Sequence, residues 1–171
     1  TMPLSPYGLT KLFGEKFLDY ASVGNDKLKA ISLRYFNPVG SHSSGEIGDN
    51  PDKPDNIMPL INRAAIGKKK IFQIYGSDYS SKDGTPIRDY VHVLDVVDAH
   101  ILSMKKIKKF KGHSIFNIGT GKGISVLEIL ETYKKINTID FKIKKIKRRK
   151  GDIPISYANV RKIYKKMKWK S

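Results

Sequence analysis

Short apolar runs bounded by Gly, Pro and Asn alternate along this chain with stretches whose apolar residues recur every three or four positions. That alternation of strand-like and helix-like periods argues for an α/β architecture. Ser5-Pro6 reads as a cap followed by proline in a first helical turn, and Leu9, Leu12, Phe13 and Phe17 form one apolar stripe after it, ended by Gly24-Asn25-Asp26. Residues 30–36 read as a buried strand stopped by Asn37-Pro38. Residues 41–55 are a long polar loop, of a length that usually serves function or motion. A helix over 56–66, with Pro59 in its first turn, precedes a strand over 71–75 and a second polar loop over 76–86. Arg88 to Val93 reads as extended, Asp95 as the cap of a helix through Met104 with Val97, Ile101 and Met104 inward. A strand over 114–118 leads into the glycine-rich turn 119–123, and Ser125 with Glu128 forms a capping box for a helix to about 136. A strand over 141–146 and a helix over 159–168 complete the pattern.

Composition narrows the function classes. The chain has 171 residues, enough for one domain with a real core. No apolar run reaches the roughly 20 residues of a membrane span, and no basic-then-apolar leader opens the sequence. With no Cys there is neither a disulfide framework nor a thiolate metal site, which fits a reducing cytoplasm. The four His are scattered without metal-ligand spacing, so no metal is expected. The formal charge of +17 fits either an anionic partner or a lysine-rich surface. The run Lys142-Ile143-Lys144-Lys145-Ile146-Lys147 favours the second, because it alternates like a strand with lysines in water. No stripe interleaves aromatic with basic residues, so nucleic acid is not expected as a partner.

Tyr7-Gly8-Leu9-Thr10-Lys11 places a phenol and an ammonium four residues apart, on one helical face. An ammonium beside a phenol favours phenolate, and such a group can take a proton from a hydroxyl while hydride leaves the same carbon. The same spacing also describes an exposed Tyr–Lys pair with no function. Gly119-Thr120-Gly121-Lys122-Gly123 suggests a phosphate loop, but it lacks the Walker spacing and reads better as a strand-to-helix turn. His92 and Asp95 read as local hydrogen-bonding and capping residues, and Arg88-Asp89 could be a local ion pair.

Further stretches follow the Tyr-x-x-x-Lys motif in a fixed order. They are Leu33-Arg34-Tyr35-Phe36-Asn37-Pro38-Val39-Gly40, Asn56-Ile57-Met58-Pro59, Asp78-Tyr79, and Asp83-Gly84-Thr85-Pro86-Ile87-Arg88-Asp89-Tyr90-Val91-His92-Val93. Asn117-Ile118-Gly119-Thr120-Gly121-Lys122-Gly123 and Arg148-Arg149-Lys150-Gly151-Asp152 come after them. In order and spacing, over nearly the whole chain, these resemble the UDP-glucose 4-epimerases of the extended short-chain dehydrogenase/reductase family. The resemblance implies part of an NAD(P)-binding Rossmann-like fold over residues 1–40. It implies a smaller C-terminal α/β nucleotide-sugar domain over most of 41–171, with about 88–104 returning to the Rossmann part. It implies a cytoplasmic isomerase of galactose metabolism that uses NAD to interconvert UDP-glucose and UDP-galactose. Tyr7 would be the catalytic base, and Lys11 would bind the cofactor ribose. Tyr35 and Phe36 would lie by the nicotinamide and the sugar, and Asn37 would contact the diphosphate sugar. Asp55, Asn56 and Ile57 would meet the nucleotide sugar, and Gln73, Ile74 and Tyr75 would line the uracil pocket. Arg88 and Arg149 would hold the diphosphate, for which a guanidinium fork is suited, and Asp152 the uridine ribose. Ser156 falls where a small side chain goes with acceptance of UDP-GlcNAc and UDP-GalNAc. A homodimer through helices that include the Tyr-x-x-x-Lys helix is a further expectation.

The family's glycine-rich dinucleotide turn, its ribose-binding acid and its catalytic Ser/Thr precede Tyr-x-x-x-Lys, and its final helix follows the point where this sequence stops. The chain is therefore expected to be a fragment that alone binds no NAD and is inactive. Another nucleotide-sugar epimerase or dehydratase of the same family is the alternative, and a basic nucleic-acid-binding module a more distant one.

Overall fold

The computed structural model describes residue 3 and residues 5–49, 51–68 and 71–171. In chain order the elements are α1 (Pro6–Val23), β1 (Lys29–Tyr35), β2 (Asn37–Val39), α2 (Ile57–Ala65), β3 (Ile71–Tyr75), β4 (Ile87–Arg88), β5 (Tyr90–His92), α3 (Val93–Lys106), β6 (Gly112–Ile118), β7 (Ile124–Ser125), α4 (Val126–Asn137), β8 (Lys142–Ile146), β9 (Ile155–Ser156) and α5 (Arg161–Met167). Parallel pairs join β1 to β6, β2 to β5 and β3 to β8, while β4 lies between antiparallel β7 and parallel β9. Parallel strands joined through helices are the α/β pattern that the alternating periods predict. The short strands β2, β7 and β9 fall where Pro and Gly punctuation reads as turn.

Two clusters of apolar side chains hold these layers. Val91, Val96, Ala99, Phe116, Ile118, Ile163, Met167 and Trp169 are buried between the β1–β6 pair and helices α3 and α5, with Ile31 and Leu33 against them. Ile61 and Ala64 of α2, Phe72 and Ile74 of β3, Leu130 of α4 and Phe141 form the second. In β3 the alternation is strict, with Phe72 and Ile74 buried and Ile71, Gln73 and Tyr75 exposed.

Helix α3 differs from expectation on two points. It starts at Val93, and its cap is His92, whose Nδ1 accepts from Leu94 N at 3.2 Å. Asp95 sits in the first turn and accepts from Ser171 Oγ at 2.9 Å. The buried face carries Val96, Ala99 and Ser103, while Val97, Ile101 and Met104 are exposed, Met104 by 69%. Both sets follow the helical period. The face that packs is the one whose small side chains let the helix approach the sheet, and Ser103 Oγ satisfies itself on Ala99 O at 2.7 Å.

Helix α1 lies against β1 and β6 without burying any residue. Its apolar stripe points outward: Phe13 is 63% and Phe17 72% exposed. Polar contacts hold the opposite face. Arg34 of β1 donates Nε to Glu15 Oε1 at 2.6 Å, and its Nη2 also meets that carboxylate. Buried His113 of β6 bridges Asp19 Oδ1 and Ser32 Oγ, each at 2.7 Å. No helix among the described residues is long and apolar enough to cross a membrane.

Candidate functional site

The strand ends and loops converge on a cavity of about 1110 Å³. Phe36 and Asn37 enter it where β1 passes into β2, Asp55, Asn56 and Ile57 at the start of α2, and Gln73, Ile74 and Tyr75 along β3. Arg88 comes from β4, and Arg149 and Asp152 from the segment between β8 and β9. Eleven residues picked out by sequence, spread from position 36 to 152, thus share one cavity. The loop over 41–55, of which Asn50 lies outside the described residues, forms another wall through Gly45, Glu46 and Asp49. Arg63 of α2 fixes it by donating Nη2 to Pro51 O at 2.8 Å and Asp52 O at 2.9 Å.

Each of the two arginines is held by neighbouring protein groups. Half-buried Arg88 donates Nη1 to Ile87 O at 2.8 Å. Arg149 donates Nε to Asp152 Oδ2 at 3.0 Å and stacks 4.8 Å from the Tyr75 ring centroid. Tyr90, which sequence reading passed over, also lines the cavity. Burial pushes its phenol up to about 12 against the opposing pull of Arg88. Arg88 and Tyr90 lie two apart in extended chain and so share a face, a period-two signal that a motif reading skips. The cavity is not uniformly basic, since Glu46, Asp49, Asp55 and Asp152 offset Arg88 and Arg149. The lysine excess lies partly elsewhere, as on the exposed Lys142, Lys144 and Lys145 of β8.

Asp89, between Arg88 and Tyr90, turns away from the cavity. Its carboxylate accepts from Thr120 N and Oγ1, Gly121 N and Ala158 N, at 2.7–3.0 Å. This anchors the 119–123 turn, whose role is structural. A side chain at Gly119 would meet Asp89 Oδ2 at 2.5 Å, so only glycine fits there.

Four residues picked out by sequence do not line this cavity: Tyr7, Lys11, Tyr35 and Ser156. Tyr7 and Lys11 share a face of α1 as their spacing predicts, with Lys11 Nζ 5.0 Å from the Tyr7 ring centroid, and Tyr7 is 72% exposed. A phenol and an ammonium so disposed suit a cofactor ribose and a substrate hydroxyl. Tyr35 parts from Phe36 because consecutive residues in extended chain face opposite ways. Its ring lies 5.7 Å from His100 of α3, while Phe36 enters the cavity. Half-buried Ser156 sits in β9, in register with Arg88. Among the described residues no group of three His, Asp or Glu is arranged to hold a metal ion.

Known proteins resemble this chain in sequence and fold. UDP-glucose 4-epimerase 1 of Oryza sativa subsp. japonica is 41% identical over 98% of this chain and 49% of its own length. A UDP-glucose 4-epimerase from Stenotrophomonas maltophila, solved with bound NAD and formylated UDP-arabinopyranose, superposes with a TM-score of 0.95 at 38% identity, over 100% of this chain and 51% of that one. The enzyme from Bifidobacterium longum, solved in complex with NAD+ and UDP, does so with a TM-score of 0.92 at 40% identity, over 98% and 50%. The chain spans about half the length of the curated relatives it matches. Residues 1–119 match the model of the NAD dependent epimerase/dehydratase family, and with these likenesses over the rest of the chain, this protein belongs to that family.

Proposed function

We propose that this chain is the nucleotide-sugar-binding part of an NAD-dependent UDP-glucose 4-epimerase. The observation that carries the reading is the approach of Arg88 and Arg149 to one cavity that also holds Asn37, Asn56, Gln73 and Tyr75. A diphosphate matches the two guanidinium forks. The exposed Gln73 and Tyr75 of β3, with the strand backbone, offer the edge that would read a uracil ring, and Asp152 beside Arg149 would meet a ribose hydroxyl.

A bound NAD would supply reversible hydride acceptance at the sugar carbon. Tyr7 would take the proton of the hydroxyl at that carbon and later give it back, and Lys11, whose Nζ lies 5.0 Å from the Tyr7 ring centroid, would hold the cofactor ribose beside it. The arginines grip the diphosphate, so the sugar can turn over without leaving. The exposed Phe13, Phe17 and Tyr20 of α1 supply an apolar surface for a second copy in a homodimer of the intact protein.

Two measurements test the reading. Calorimetric titration of the chain is expected to show UDP binding more tightly than ADP, since the cavity reads the base as well as the diphosphate. Chromatography and mass analysis of products from a longer protein containing this chain are expected to show UDP-glucose and UDP-galactose interconverting. A dehydrated or decarboxylated product would move the assignment to a sister activity, and equal affinity for UDP and ADP would defeat it.

A further inference from the structure

Asp89 does not line the cavity, yet it joins the segments that would grip the proposed ligand. The residue is fully buried between Arg88 and Tyr90, both of which line the cavity. Oδ1 accepts from Thr120 N at 2.8 Å and Thr120 Oγ1 at 2.7 Å, and Oδ2 accepts from Gly121 N at 2.9 Å and Ala158 N at 3.0 Å. Four donors fill the lone-pair sites of one carboxylate. Its carbonyl accepts from Asn37 N at 2.9 Å, and Asn37 also lines the cavity. Ala158 ends the segment that begins with Arg149 and Asp152, and that segment pairs back onto β4 through Ser156 opposite Arg88 and Ile87 N on Pro154 O at 2.9 Å.

We infer that Asp89 is a positioning residue: its buried carboxylate fixes the spacing between Arg88 and the Arg149–Asp152 segment, and so the grip on a nucleoside diphosphate. The inference rests on the nucleotide-sugar reading and deepens it. Asparagine at this position keeps one acceptor oxygen and turns an amide NH2 toward N–H donors. The Thr120 hydroxyl can turn to accept from that amide, but a backbone N–H cannot, so at least one of the four bonds is lost and a buried donor is left without a partner. The 119–121 turn or the 158 end then shifts, and the two guanidinium groups no longer converge on one diphosphate. A nucleoside without phosphates makes no use of that convergence.

The test is calorimetric titration of the full chain with UDP and with uridine. For Asp89→Asn the ratio of UDP to uridine affinity is expected to fall about tenfold, most of it from UDP. A general loss of structure lowers both affinities by the same factor and leaves the ratio unmoved. A folded Asp89→Asn chain with an unchanged ratio overturns the inference. If that variant does not fold, Thr120→Val deletes the hydroxyl that donates to Oδ1 and accepts from Lys122 N at 3.1 Å within the same turn, and a fall of roughly twofold to threefold in the same ratio is expected. An unchanged ratio there overturns the inference too. Absence of UDP binding by the unaltered chain is a different failure, since it removes the nucleotide-sugar reading and the inference with it.

Discussion

Arg149 meets the cavity with its Nε on Asp152 at 3.0 Å and its guanidinium carbon 4.8 Å from the Tyr75 ring centroid. Lysine keeps the charge but not the planar fork or the stacking. Arg149→Lys is therefore expected to weaken UDP binding by about 1.5–3 kcal/mol, roughly tenfold to a hundredfold in Kd by calorimetry. An unchanged Kd would remove Arg149 from the site. Ser156 leads to a second residue-level outcome. It pairs with Arg88 across β9 and β4, and by the resemblance a small side chain at this position goes with acceptance of N-acetyl sugars, so the intact protein is expected to turn over UDP-GlcNAc as well as UDP-glucose, and Ser156→Tyr to suppress the former selectively. Wild-type protein that leaves UDP-GlcNAc untouched in a product assay counts against this. Much of the site at this scale was legible as motif. Tyr7 and Lys11 are tied by helical spacing alone. Asp89 and Tyr90 were not legible, because a buried carboxylate reads like a surface one until its donors from residues 120, 121 and 158 are brought to it.

Between elements, sequence rhythm identifies a helix better than it identifies the face that packs. Periodicity marks α1 and α3 correctly, yet Phe13 and Phe17 on the first and Val97, Ile101 and Met104 on the second are exposed. Burial depends on a neighbour that periodicity does not contain. For α1 the neighbour is polar: Arg34 on β1 and His113 on β6. The hydrogen bond from Arg34 holds the Glu15 carboxyl below its ordinary range, and that from His113 does the same for Asp19. Both carboxyls thus ionise at lower pH in the folded chain than in the unfolded one. Their contribution is complete above the ordinary carboxylate range, about 4, and is lost as pH falls through the lowered folded values. Protection factors of α1 amides are expected to drop on acidification below that range before those of β1 and β6. Glu15→Gln should flatten the drop. Simultaneous loss of protection in all three elements would show that these pairs do not govern α1.

Across the whole molecule, the +17 charge and the cavity point to different partners, and the cavity is the more specific of the two. A polyanion groove needs cations along its floor, whereas this cavity sets four carboxylates among its walls with Arg88 and Arg149. Phe36 to Asp152 enclose it without help from α1. Tyr7 and Lys11, by contrast, stand on a helix that buries none of its residues. On the proposed reading the cavity would recognise the nucleotide of the substrate, while Tyr7 and Lys11, proposed to face the cofactor, stand exposed on α1. A ligand that binds only the folded state stabilises it by about 2.7 kcal/mol at a hundredfold excess over its Kd. Saturating UDP is therefore expected to raise the melting temperature of the 171-residue chain measurably, and NAD at the same concentration to leave it unchanged. Equal shifts would mean that the dinucleotide finds more contacts on α1 than its exposure allows. A shift with NAD alone would relocate the binding function from the cavity to the helix.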